Sequence, residues 1–254
     1  MNPTIELMNA RFSTRTFAPA SITPDERETI LHTAMRAPTG GNMMLYTIIE
    51  IEDQSLKDQL AVLCDDQPFI AKAPWVLLFL ADFQKWTDLF AASGVDSLED
   101  VDHPANLGLG DLMLACSDAI IAAQNAVITA ESLGIGSCYI GDIMENGEAV
   151  AELLELPPHT FPVAMLVFGR PAKRREPTPH YMKHVVHKDT YRRLTEAELA
   201  EVSSELGDMH APHGLKPGIE NLPQDVYRRK FASAFMAEMN RSVAWWLHRW
   251  QTPL

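Results

Sequence analysis

Cysteine is scarce in this sequence, and its scarcity limits the kinds of site the chain can form. Cys64, Cys116 and Cys138 are spread over 254 residues. An odd number of cysteines at such wide spacing outlines neither a disulfide framework nor a zinc site. We therefore expect buried free thiols.

The chain is also short of positive charge. Lys and Arg number 21 against 34 Asp and Glu, which leaves a formal net charge of −13 at pH 7. A protein with this balance repels polyanions unless its basic residues cluster. We expect no nucleic-acid partner and no binding to a membrane surface.

Long apolar runs and several familiar motifs are missing as well. The longest apolar runs, such as residues 75–81, have the length of a strand, and the N-terminus shows no basic stretch followed by an apolar one. The patterns of a nucleophile elbow, a P-loop and a dinucleotide-binding glycine loop are absent. The sequence predicts a cytoplasmic protein and gives no support to a hydrolase, an NTPase or a Rossmann dehydrogenase.

What the sequence does contain is a group of anion-binding side chains near the N-terminus. If residues 11–15 run extended, Arg11, Ser13 and Arg15 point to the same side, because side chains alternate along a strand. Two guanidinium groups and a hydroxyl then face one spot, which suits phosphate oxygens. The other interpretation, two ion-paired arginines on a solvated surface, stays open at this point.

The pattern along the chain predicts helices and strands in alternation. A helix begins at Pro24, capped by Thr23, and ends before Pro38, so residues 39–42 form a glycine-containing loop whose backbone can approach a ligand. Apolar β-branched runs predict strands, and amphipathic runs predict further helices. The strands are expected at 45–51, 75–81, 137–140 and 161–168, and the helices at 54–63, 111–133 and 145–154.

The last third of the chain differs in composition from the rest. Residues 171–223 are rich in Pro, His and charge, which predicts an extended arm lying over a surface, and residues 224–251 predict an aromatic C-terminal helix. Residues 93–106 predict a surface loop. We expect one domain over residues 1–254. His180, His184 and His187 lie in the arm without acidic or thiol partners at ligand spacing, so we expect no metal site.

Four stretches, in order and at matching spacing, resemble the FMN-dependent nitroreductase family, which includes flavin reductases. Together they cover roughly residues 4–191. They are Arg11-Phe-Ser-Thr-Arg-Thr-Phe17, Ala37-Pro-Thr-Gly-Gly-Asn42, Ala130-Glu-Ser-Leu-Gly-Ile-Gly-Ser-Cys-Tyr-Ile-Gly-Asp142, and Leu156-Pro-Pro-His-Thr-Phe-Pro-Val163 leading to Phe168-Gly-Arg-Pro171.

The resemblance implies a fold and an assembly. The fold is α+β, a nitroreductase-like three-layer sandwich in which helices wrap a mostly antiparallel sheet. The assembly is a homodimer with exchanged arms and FMN at the interface.

By position, the resemblance also implies a set of FMN-binding residues. Arg11, Ser13 and Arg15 would hold the phosphate and ribityl chain, and Phe12, where many members have Arg or His, would contribute backbone. The other implied residues are Pro38, Thr39, Gly40, Asn42, Gln67, Tyr139, Ile140, Gly141, Asp142, Lys173 and Arg175.

These residues have different implied roles. Asn42 and the backbone before it would approach the flavin, with the partner subunit as a possible source. Gln67 would face the pyrimidine edge with an amide that both donates and accepts. Residues 139–142 would line the ring, with the backbone of Gly141 near the reacting nitrogen. In place of a Lys-Pro-Arg-like signature this chain has Lys173-Arg-Arg175, so which of these three cations meets the phosphate stays open.

The implied activity is that of an FMN-dependent NAD(P)H oxidoreductase. NADH or NADPH would pass a hydride to the flavin and leave before a nitroaromatic, a quinone or a free flavin binds the same face, without a side-chain base. Two alternatives stay open. One is a specialised flavin reaction, such as reductive dehalogenation, enone reduction or dehydrogenation, since this fold hosts several. The other is an FMN-binding protein without turnover.

Overall fold

The computed structural model describes residues 2–99, 107–175, 183–210, 215 and 217–252. The chain divides into two compact units, the first made of residues 1–175 and 238–254 and the second of residues 176–237. The single-domain organisation expected from the sequence stays a prediction.

Among the described residues, the first unit contains a four-stranded antiparallel sheet. Its strands are β1 (Tyr46–Ile51), β2 (Trp75–Asp82), β3 (Gly136–Ile140) and β4 (Thr160–Gly169), in the spatial order β1-β2-β4-β3. The two central strands are buried along nearly their whole length. A strand that is covered on both faces loses the alternation of apolar and polar residues, so β2 and β4 appear in the sequence as continuous apolar runs.

Helices cover both faces of this sheet. Trp75 and Phe79 of β2 pack in a core with α2 (Pro24–Met35) and α6 (Leu109–Ser132). Val76 and Leu80 point the other way, into a second core. The helices around this second core are α3 (Gln54–Leu63), α4 (Pro68–Ala71), α7 (Gly147–Leu153) and α10 (Ala234–Trp250). The arrangement is the predicted three-layer α+β sandwich.

Helix α6 has two apolar faces with different surroundings. Its alanines at 115, 119, 122, 123, 126 and 130 are fully buried, since small side chains let the sheet and α2 come close. Length and composition alone would allow α6 to span a bilayer, but burial of its alanine face identifies it as a core helix. The opposite face exposes Met113, Leu114, Ile120 and Ile121, with 39% to 64% of each residue accessible. We call these four residues the α6 outer face.

Short elements at the ends of the first unit complete it. Helix α1 spans Pro3–Ala10, and α5 spans Gln84–Ser93 where the sequence had predicted no element. A short 3-10 turn, Val95–Ser97, lies in the stretch predicted as a surface loop, and residues 100–106 of that stretch fall outside the described residues. The three cysteines are free thiols, two of them buried and Cys116 half-buried.

The C-terminal helix packs on the first unit through its tryptophans. Trp246 and Trp250 are fully buried, and the indole N–H of Trp250 donates to the Gly108 carbonyl at 3.1 Å. The sequence had predicted one continuous helix here. The structure instead has α9 (Leu222–Val226), a π-helical turn (Tyr227–Phe231) and then α10.

The second unit contains a helix where the sequence suggested an extended arm. This helix, α8, spans Glu196–His210. The His187 ring stacks on Tyr191, and His184 lies within 4 Å of the carboxylates of Glu198 and Glu201. Within the described ranges, no group of three or more side chains is placed to hold a metal ion. His180 lies outside those ranges.

Candidate active site

The segment of residues 11–17 runs extended along the end of the sheet. The Thr14 backbone N–H donates to the Ser137 carbonyl of β3 at 2.9 Å. Further along, the Ala172 N–H donates to the Thr16 carbonyl at 3.0 Å. The segment is therefore held from both β3 and the end of β4.

Two glycines make this close approach possible. A Cβ added to Gly136 would lie 2.2 Å from the Thr14 hydroxyl, and one added to Gly169 would lie 2.4 Å from the Phe17 ring. Real Cβ atoms do not come so close to other atoms, so any side chain at either position would displace the segment.

The predicted alternation in this segment is present. The thiol of Cys138 on β3 lies near the side chains of Ser13 and Arg15 and near the charge of Arg11. Burial raises the pKa of this thiol, and Arg15, Ser13 and Arg11 act in the opposite direction. The three side chains thus all act on the Cys138 side of the segment, whereas Thr14 between them is buried.

Ser13 and Arg15 border a cleft of about 310 Å³, whereas Arg11 lines a separate cavity. Its walls carry three cationic side chains, Arg15, Lys173 and Arg175, beside the hydroxyl of Ser13. The other wall residues in the described part of the chain are Phe12, Thr14, Thr16 and Ala172. Such a set of donors matches the oxygens of a phosphate monoester.

The structure separates the three cations of residues 173–175. Lys173 and Arg175 line the cleft, whereas Arg174 acts with Arg11 on the buried carboxyl of Glu131. Burial raises the pKa of Glu131, and the two arginines oppose that rise. The geometry favours Lys173 and Arg175 as the phosphate ligands, and that assignment stays a prediction.

A separate small cavity of about 120 Å³ is bounded by Arg11 and by Gln124 and Glu131 of α6. The Tyr139 hydroxyl donates to the Gln124 side-chain oxygen at 3.3 Å. Burial raises the pKa of Tyr139 to about 12, with Arg11 opposing. Tyr139 therefore stays a neutral donor at ordinary pH.

Residues 140–142, at the end of β3 and just after it, lie beside the start of α4 and form a wall of the site. The Ile140 side chain is buried in the core, so this residue offers only its backbone to a ligand. A Cβ added to Gly141 would meet nothing within 4 Å. Asp142 then accepts a hydrogen bond from the amide of Gln67, the residue just before α4. In α4 itself, the Phe69 ring lies 5.8 Å from the Arg15 guanidinium carbon, which joins this wall to the cationic cleft.

The loop of residues 38–42 is held in a defined shape by Asp118. This carboxylate, buried on α6, accepts hydrogen bonds from the N–H of Gly40 at 2.9 Å and of Leu45 at 3.3 Å. Gly41 and Asn42 both have φ of 58°, in the left-handed region that glycine and asparagine tolerate best. The loop thus presents an exposed Asn42 on a stiff backbone.

This loop does not meet the cationic cleft within one chain. Asp118 of α6 holds the loop, and Glu131 of α6 lies near Arg11 and Arg174, which flank the cleft residues in the sequence. The two acidic residues are roughly 20 Å apart along the helix, at about 1.5 Å of rise per residue. One chain therefore holds the predicted residues in two groups. Residues 11–15, 67, 139–142, 173 and 175 form the first group, and 38–42 the second.

Comparison with known proteins identifies the family. The model of the Nitroreductase family matches residues 8–170 of this chain. The chain belongs to the nitroreductase family. It is 31% identical over 256 residues to an oxygen-insensitive NADPH nitroreductase of Salmonella typhimurium, covering 99% of this chain and 100% of that protein. It is 34% identical over 192 residues to an FMN reductase (NADPH) of Bacillus subtilis, covering 75% of each.

The fold is similar to solved nitroreductase structures. B. megaterium NfrA2 superimposes with a TM-score of 0.84 at 26% identity, covering 100% of this chain and 99% of that one. The similarity confirms the predicted nitroreductase-like α+β fold. The homodimer with exchanged arms stays a prediction.

Sequence reasoning missed several residues of this nitroreductase site. Thr16 and Ala172 line the cleft, Gln124 and Glu131 border Arg11, and Asp118 holds the loop. A lone acidic residue within the alanine face of α6 was a usable signal for Asp118, because a buried carboxylate requires donors. Residues 16 and 172 carry no signal of their own.

Proposed function

We propose that this nitroreductase is an FMN-dependent NAD(P)H oxidoreductase that reduces nitroaromatics, quinones or flavins. The observation that carries the proposal is the cationic cleft of Ser13, Arg15, Lys173 and Arg175 beside an open wall at Gly141. The relatives named NADPH nitroreductase and FMN reductase support the choice of cofactor and donor.

The residues of the first group fit FMN. The cleft would hold the phosphate, since three cations and a hydroxyl supply its hydrogen bonds. The backbone of residues 139–142 would border the ring on the side where the structure has space. Bound FMN would supply the hydride chemistry, accepting from NAD(P)H and passing to the acceptor.

The protein side chains at this site bind and orient and do not act as bases. The raised pKa values of Cys138 and Tyr139 keep both groups protonated near neutral pH. Among the described residues that line the phosphate cleft, the charged side chains are the cations Arg15, Lys173 and Arg175, and the nearby Asp142 carboxylate is engaged by Gln67. This arrangement is consistent with a ping-pong exchange in which donor and acceptor use the same face in turn.

We propose a homodimer in which the loop of residues 38–42 reaches the cleft of the other subunit. Two observations support it: the loop lies far from the cleft of its own chain, and the α6 outer face is apolar and exposed. Exposed apolar patches of this kind mark protein interfaces. We place the enzyme in the cytoplasm, where NADH and NADPH are available.

Ile121→Asp tests the dimer. A charge on the α6 outer face is expected to give monomers and to weaken FMN binding at least tenfold, since the loop no longer reaches the cleft. Light scattering and a flavin titration measure the two effects. Val62→Asp, an equally drastic change at an exposed position on α3, serves as the control. An Ile121→Asp protein that remains dimeric with unchanged affinity contradicts the proposal.

The activity itself is tested by the visible spectrum of the purified protein under anaerobic conditions. We expect a flavin spectrum that NADPH or NADH bleaches and that nitrofurazone or menadione restores. Bleaching without restoration by either acceptor would favour a specialised flavin reaction. A flavin spectrum that neither donor bleaches would indicate an FMN-binding protein without turnover. Failure to take up FMN would refute the cofactor assignment.

A further inference from the structure

The side-chain amide of Gln67 has both of its N–H groups engaged within the protein. Its nitrogen Nε2 donates to the Cys64 carbonyl at 2.8 Å and to the carboxylate oxygen Oδ2 of Asp142. A carbonyl and a carboxylate can only accept hydrogen bonds. The amide nitrogen must therefore face these two groups, and only the amide oxygen Oε1 is left for a ligand.

The two partners of this amide come from separate elements. Cys64 ends α3, and Asp142 follows Gly141 at the end of β3, 75 positions beyond Gln67. The Cys64 carbonyl alone would engage one of the two N–H groups. Asp142 engages the other, so with its carboxylate in place the amide presents only its oxygen, and without it one N–H is available to a ligand.

This corner of the site is continuous with the cationic cleft. Phe69, two residues after Gln67, lies against Arg15, and Gly141, one residue before Asp142, leaves open space. A ligand with its phosphate in the cleft and its ring beside Gly141 therefore extends toward the Gln67 amide.

We propose that Asp142 is a positioning residue that turns the Gln67 amide oxygen toward the ligand, so that the site requires a hydrogen-bond donor at that edge of the ring. The inference rests on the proposed function. The pyrimidine edge of a flavin has one such donor, the imide N3–H, flanked by two carbonyl oxygens. A ring lacking that N–H leaves the Gln67 oxygen unpaired and places its own oxygens against it.

The test compares FMN with 3-methyl-FMN, in which a methyl group replaces the imide hydrogen. Dissociation constants are measured by flavin fluorescence for the native protein, Asp142→Asn and Asp142→Gly. The native protein is expected to bind 3-methyl-FMN roughly 10- to 100-fold more weakly than FMN, as for an unpaired buried acceptor. Asp142→Gly removes the acceptor of one Gln67 N–H, and Asp142→Asn offers a donor as well as an acceptor in its place, so in both variants that N–H can donate to a flavin carbonyl while the other stays on Cys64. In both variants the Kd for 3-methyl-FMN divided by the Kd for FMN is expected to fall to about a fifth of the native ratio or less.

The control is Asp66→Asn. Asp66 is an exposed carboxylate directly before Gln67, so this change removes the same charge and leaves both partners of the amide in place. Its preference for FMN should equal that of the native protein. Any steric effect of the methyl group is common to all four proteins and cancels when their ratios are compared.

Each outcome separates the inference from the function on which it rests. If the native protein binds FMN and 3-methyl-FMN equally, the site does not require a hydrogen-bond donor at the ring edge, whatever the variants do. A native preference that survives in both Asp142 variants refutes the role of Asp142. Native protein that binds neither flavin refutes the cofactor proposal, and the inference falls with it.

Discussion

Arg15→Ala is expected to weaken FMN binding by about 2–3 kcal/mol, roughly 30- to 150-fold in Kd. Arg15 lies in the cleft beside Ser13, and its guanidinium is held from behind by the Phe69 ring. A charge-assisted hydrogen bond to phosphate is among the stronger contacts a site can form, and a guanidinium held in place loses little entropy on binding. Fluorescence titration with FMN measures the loss.

Riboflavin, which lacks the phosphate, identifies the cause of that loss. Native protein and Arg15→Ala should bind riboflavin with the same affinity. Arg174→Ala is the matched control, because it removes an equal charge next to the cleft but acts on Glu131. Its Kd for FMN is expected to stay within about threefold of the native value, as for an exposed charge. Equal losses of FMN and riboflavin affinity in Arg15→Ala would show that Arg15 supports the fold and does not bind phosphate.

Gly136→Ala is expected to destabilise the protein by about 2–3 kcal/mol and to reduce FMN binding as well. The added methyl group would lie 2.2 Å from the Thr14 hydroxyl oxygen and 2.8 Å from the Thr14 Cβ. Thr14 is 2% exposed, and its Cβ is held in place by a backbone that is hydrogen-bonded to β3, so rotating the side chain does not remove the contact. Residues 11–17 must move off the sheet, and the cationic side chains move with them. Urea denaturation and FMN titration of the same sample measure the two losses.

Two further variants define this effect. Gly110→Ala adds the same methyl group on α6, where nothing lies within 4 Å, and should stabilise the protein by about 0.5–1 kcal/mol because alanine favours a helix. Adding Thr14→Ala to Gly136→Ala removes the shortest contact and should restore part of the stability. If Gly136→Ala unfolds at the native urea concentration, residues 11–17 do not depend on this close contact.

Local patterns in the sequence predicted the elements that local chemistry controls. Helix α2 begins at Pro24 because Thr23 and Glu26 form a capping box, which a sequence displays directly. Helix α5 was missed because Phe83 at its N-cap makes no side-chain hydrogen bond. The break before α10 was missed because a π-helical turn has no sequence signal that we recognise.

In the candidate site, too, some features follow from local sequence and others only from the tertiary structure. The sequence by itself determined that Arg11, Ser13 and Arg15 share a side, since alternation is a property of any extended chain. It also determined the family, through four stretches in register. Only the tertiary structure assigned Lys173 and Arg175 to the cleft and Arg174 to Glu131. Only the tertiary structure brought Asp142 to Gln67 and Asp118 to Gly40. These contacts join residues about 75 positions apart, and their geometry depends on how the sheet and α6 pack, which no local pattern contains.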